Sequence, residues 1–114
     1  MQDDNDNTLR IALSEAGERL THESEPFIVL FRRGEFSAEL YAPKGVDRQE
    51  PHDQDEVYII AAGSGVFQRG DERVRFGRGD FLFAAAGVPH RFAKFTEDFK
   101  TWVIFFGPKR APGE

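Results

Sequence analysis

From residue 26 to residue 107 the sequence is a succession of short apolar runs broken by turn residues at near-regular intervals. The runs are "PFIVLF" (26–31), "EFSAELYAP" (35–43), "EVYIIAAG" (56–63), "GVFQRG" (65–70), "ERVRFG" (72–77), "DFLFAAA" (80–86), "HRFAKF" (90–95) and "TWVIFFG" (101–107). Between them lie Arg33-Gly34, Gly63-Ser64-Gly65, Gly70-Asp71, Gly77-Arg78-Gly79-Asp80 and Gly87-Val88-Pro89. Aromatic and β-branched residues suit a pleated, half-buried surface, and glycine supplies the dihedrals that tight reversals need. Many short strands without a long helical segment predict an all-β, antiparallel sandwich or barrel. Ahead of them, "LRIALSEAGERL" (9–20) predicts one short helix, weakened by Gly17. Residues 1–8 are polar and expected to be disordered. No repeat or linker divides the rest, so 9–114 is read as one domain.

Composition narrows the function classes. A net charge of −5 gives no electrostatic support to a nucleic-acid or anionic-membrane partner. The absence of cysteine excludes disulfides and thiolate metal sites. Met1 is followed by "QDDNDNT", the opposite of a basic signal-peptide start, and no apolar run approaches ~18 residues. The expectation is a soluble cytoplasmic protein. The twelve phenylalanines point to an aromatic core.

The stretch "EPHDQDEVYII" (50–60) is where chemistry enters. His52 and Glu56 stand four apart, and on a straight strand at about 3.3 Å per residue they lie too far apart to share an ion. A helix would join them, but "VYII" and the following glycines argue for a strand. A chain reversal joins them instead. With 47–52 as one strand, 56–62 as the next and 53–55 as the loop, His52 and Glu56 face each other across a hairpin mouth.

"PHDQDEVYIIAAGSGVF" followed by "GRGDFLFAAAGVPHRF" resembles the two signature motifs of the cupin superfamily. His52, Glu56 and Gly63 match the first motif, and Gly79, Gly87 and His90 match the second. The resemblance covers about residues 35–107. Glu50 stands where the first motif has a further histidine, and in the second motif Ala85 replaces the proline and Lys94 an asparagine.

The resemblance implies a cupin jelly roll (a double-stranded β-helix) and a divalent ion, iron, manganese, zinc or nickel, on His52, Glu56 and His90. Glu50 is the candidate fourth ligand. Two imidazoles and one carboxylate form the set used by facial-triad iron(II) sites and by catalytic zinc sites. Tyr58 and Ile60 share the parity of Glu56, and Phe92 that of His90, so these three are expected to line the interior beside the ion. Trp102 is read as core packing, and His22, among polar residues, as exposed. No catalytic acid, base or nucleophile stands out beyond the metal set.

The expected function is a metal-dependent enzyme of oxygenase or isomerase type acting on a small oxygen-bearing metabolite. The alternative is a non-catalytic module that binds or senses a small molecule. A homodimer is expected, because "PFIVLF" is apolar enough to pair across a two-fold axis. Arg69-Gly70-Asp71 and Arg78-Gly79-Asp80 spell an adhesion tripeptide, but each is explained as a turn.

Overall fold

The computed structural model describes residues 5–110. One helix, α1 (Leu13–Leu20), precedes β1 (Phe27–Arg33), β2 (Phe36–Tyr41), β3 (Asp55–Ala62), β4 (Gly65–Arg69), β5 (Glu72–Phe76), β6 (Phe81–Ala84), β7 (His90–Phe95) and β8 (Lys100–Phe106). The strands form a five-stranded sheet, β1-β2-β8-β3-β6, and a three-stranded sheet, β5-β4-β7. Every pairing is antiparallel. Among the described residues the fold class is as expected: all-β, antiparallel, with one short helix. That helix is not long and apolar enough to cross a membrane.

Two glycines fix how the sheets join. Gly63 has φ 82°, which only glycine adopts freely. At Gly65, opposite Phe95, a Cβ would stand 2.0 Å from the Lys94 carbonyl oxygen. The step from the large sheet to the small one therefore needs a bare backbone there.

Side chains from both sheets meet in one core. Tyr41, Tyr58, Ile60 and Val103 come from the larger sheet, Phe67, Phe76 and Phe92 from the smaller, and Phe99 from the turn before β8. Phe92 sits at its centre, with ring centroids 4.9 Å from Tyr58, 5.4 Å from Phe76 and 4.7 Å from Phe99. A second cluster of Ala16, Leu20, Leu30 and Leu40, flanked by Ile28 and Trp102, seats α1 on the outer face of the larger sheet. Strands β2 and β8 are thus covered on both faces, and Trp102 packs under the helix.

One expectation needs correction. The strand over 47–52 does not form, and residues 42–54 are an irregular connection. Side chains replace ladder hydrogen bonds there. Asp47 accepts from the backbone N–H of Phe92, while Gln54 donates to the carbonyls of Glu35 and Gly107. Pro43 and Pro51 also deny the segment two backbone donors. Residues 5 and 6 lie against the end of β1. Asn5 bridges to Arg33, the Asp6 N–H donates to the Arg32 carbonyl at 3.1 Å, and Arg33 Nη1 donates back to the Asp6 carbonyl at 3.0 Å. Of residues 1–8, expected to be disordered, 1–4 lie outside the described residues.

Candidate metal centre

Three segments deliver the candidate ligands. Glu56 is the second residue of β3, with its side chain inward, paired with Phe105 on one side and Ala84 on the other. His90 opens β7, directly after the Gly87-Val88-Pro89 turn. His52 lies on the 42–54 connection, and its carbonyl accepts the Gly87 N–H at 2.8 Å, which ties the two histidine-bearing loops together. The Ala86 N–H donates to Asp55 Oδ1, also at 2.8 Å, and strengthens the same junction.

The structure brings His52, Glu56 and His90 together, with one ligand atom from each within 4.8 Å of the others. Glu56 Oε1 lies 2.7 Å from His90 Nε2, and Glu56 Oε2 lies 3.7 Å from His52 Nε2. Ligand atoms held at about 2.0–2.2 Å from one ion stand about 3 Å apart, so the set is close to ligating spacing. Glu56 and His90 side chains are each 1% exposed, whereas that of His52 is 36% exposed.

The donor chemistry fits a cation. His90 Nδ1 donates to the Val88 carbonyl at 2.7 Å, which leaves the Nε2 lone pair directed into the cluster in the neutral ring. Despite its closeness to Glu56, His90 Nε2 has no hydrogen-bond partner of acceptable geometry, and neither has Glu56 Oε2. Two buried, orphaned polar atoms side by side are costly unless something between them satisfies both. Burial acts to lower the His90 pKa, but the Glu56 carboxylate and the Val88 carbonyl outweigh it and hold it above the ordinary value. The Tyr58 hydroxyl contacts Glu56 Oε1, and burial next to that carboxylate raises its pKa well above the usual tyrosine range.

A cavity of about 1370 Å³ opens beside the cluster. His52 is the member of the trio on its wall, together with Glu39, Tyr41, Gln49, Val103 and Phe105. Glu50 also lines the cavity, but it is exposed and is not part of the cluster. Tyr58 is fully buried against Glu56, while Ile60 and Phe92 belong to the closed aromatic core. His22 is exposed and paired with Glu18 at the end of α1.

Sequence reading missed two features. Gln49 accepts from the Tyr58 hydroxyl, which contacts Glu56, and Asp47 holds Gln49 and the Phe92 backbone N–H. Glu39, on β2, faces inward in register with Val103, which in turn pairs with Tyr58. Its carboxyl is pushed up to about 7 by burial and by the Glu56 charge, against the opposing pull of Arg32. The alternation of "FSAELY" was a usable signal, since it sets Ser37, Glu39 and Tyr41 on the face opposite Phe36, Ala38 and Leu40.

Comparison with known proteins agrees with the fold. An uncharacterized protein of Streptomyces coelicolor is 34% identical over 85 residues, covering 73% of this chain and 81% of its own length. The crystal structure of a DMSP lyase from Ruegeria pomeroyi is similar with a TM-score of 0.61 and 27% identity, over 71% of this chain and 46% of that one. The chain therefore spans just under half the length of that enzyme. A cupin 2 conserved barrel domain protein from Salinispora arenicola shares the fold, with a TM-score of 0.67 and 18% identity over 89% and 91% of the two chains. The family model described as cupin domain matches residues 37–105, more than half of the sequence. The chain belongs to the cupin domain family.

Proposed function

We propose that this chain is a metal-dependent enzyme that acts on a small oxygen-bearing metabolite. One observation carries the reading: the buried, unpartnered atoms Glu56 Oε2 and His90 Nε2 converge with His52 at the edge of a cavity. His52, Glu56 and His90 would hold the ion, which when bound supplies Lewis-acid or dioxygen-activating chemistry. Val88 fixes the His90 tautomer through the Nδ1 hydrogen bond, so that Nε2 needs no ring flip to bind. Tyr58 donates to the inner Glu56 oxygen and leaves the outer one free. Phe105 packs on the His52 ring at 4.9 Å between centroids, which shields the centre from water on that side. A ligand enters past His52, because Glu56 and His90 are not on the cavity wall.

That same burial supports a second reading, a binding or sensing module whose ion orients a ligand without reacting. Water exchange at the centre separates the two. Mn²⁺-loaded protein that enhances water-proton relaxation has an open coordination position, as an enzyme needs. The reaction is then sought by incubating metal-reconstituted protein with small hydroxy acids, sugars and, given the likeness to the lyase, DMSP. Consumption of one of them that chelation abolishes and metal restores supports the enzyme. No water exchange and no consumption would leave the binding module as the better account.

A further inference from the structure

We propose that Asp47 and Gln49 are positioning residues that assemble the metal centre, Asp47 by fastening the His52 loop to the His90 strand and Gln49 by passing that restraint through Tyr58 to Glu56. The inference rests on the metal-site reading above.

Asp47 is a buried carboxylate that accepts four hydrogen bonds. Its Oδ1 takes the Tyr41 hydroxyl and the Gln49 backbone N–H at 3.1 Å. Its Oδ2 takes the Gln49 side-chain amide at 2.6 Å and the Phe92 backbone N–H at 2.8 Å. Phe92 is two residues beyond His90, and Gln49 three residues before His52. One side chain therefore joins the two histidine-bearing segments. The connection over 42–54 has no strand ladder to hold it, so such ties set where His52 stands.

Gln49 acts one step closer to the ion. Because its amide NH₂ faces the Asp47 carboxylate, its carbonyl oxygen must face the other way, and there it accepts from the Tyr58 hydroxyl at 3.0 Å. The same hydroxyl contacts Glu56 Oε1. A phenol has one proton, so Gln49 and Glu56 compete for it. When a cation draws charge from Glu56, the Tyr58 proton has a prepared second acceptor, and Glu56 is released toward the ion at little cost. Outer partners of this kind are worth about 10–100-fold in metal affinity.

Co²⁺ alone is the probe, since its visible spectrum reports ligand geometry. Gln49→Ala removes the amide from Tyr58 and from Asp47 but leaves the Asp47 contacts to Tyr41 and Phe92, so the fold is kept. Its Co²⁺ affinity is expected to fall about 10–100-fold with an altered spectrum, while the melting temperature of the metal-free protein stays close to wild type. Tyr58→Phe should lose a similar amount, and adding Gln49→Ala to it should cost little more, because both act along one chain of contacts. Wild-type affinity in Gln49→Ala, or fully additive losses, overturns the proposal. So does an affinity loss matched by an equal loss of metal-free stability, which marks a purely structural role. Failure of the wild type itself to bind Co²⁺ instead removes the metal-site reading on which the proposal stands.

Discussion

Replacing Glu39 by glutamine should stabilise the metal-free protein, and more so at high pH. Glu39 sits between Val29 and Val103 in register, half-buried on the cavity wall, with Glu56 repelling it and Arg32 as the charge that opposes. Its carboxyl titrates at about 7 in the folded chain against an ordinary value of 4.5. Below 4.5 both folded and unfolded states are protonated and there is no penalty. As pH rises toward 7 the unfolded chain releases the proton first, so stability falls across that window and the full cost stands above it. At about 1.4 kcal/mol per pH unit, the interval sets a ceiling of about 3 kcal/mol, and cavity water screens part of it, leaving about 1–3 kcal/mol. Glutamine keeps the shape without the charge. Urea unfolding of both proteins with a chelator present should show the advantage of Glu39→Gln growing by that amount between pH 5 and pH 8. An ion at Glu56 cancels the repulsion, so saturating metal should shrink the difference. An advantage that does not change with pH, or a loss of stability in the variant, would refute the reasoning.

Metal affinity should rise with pH through and above the ordinary imidazole range. A raised His90 pKa lets protons compete for Nε2 to a higher pH than for an ordinary imidazole, and binding isotherms at several pH values check it. Gly65→Ala should destabilise by about 3 kcal/mol or more in urea unfolding, because its Cβ meets the Lys94 carbonyl oxygen, which belongs to backbone and cannot swing aside. A pairing of copies along β1, an edge strand of the larger sheet, should give a dimeric mass at micromolar concentration, and a monomeric mass counts against it.

The strands were legible because their boundaries are chemical. Gly34, Gly63, Gly70, Gly79 and Gly87 all take positive φ at strand ends or turns, where the sequence marks reversals. The clustering of His52, Glu56 and His90 was legible through motif spacing, which survives whatever path the chain takes between them. The path itself was not. Reading 47–52 as a strand assumed ladder hydrogen bonds, but Asp47 and Gln54 supply side-chain ties to partners 45 and 53 residues away, and no local pattern announces such partners. Without a strand, parity fails. Glu50, two residues before His52, is exposed, and the adjacent Gln49 turns in. Glu39 escaped for a different reason. On β2 the apolar face of Leu40 is covered by α1, so the face carrying glutamate looks into the molecule. Hydrophobic alternation identifies the two faces of a strand but not which layer covers each.

The account stands on one ion held by His52, Glu56 and His90, and elemental analysis tests it most directly. Protein purified without added metal is compared with His90→Ala prepared in the same way, with circular dichroism confirming that both are folded. The account predicts a divalent metal near one ion per chain in the wild type and its loss from a still-folded His90→Ala. Stoichiometric metal retained by His90→Ala, or a wild type that neither carries nor takes up a divalent ion, contradicts it.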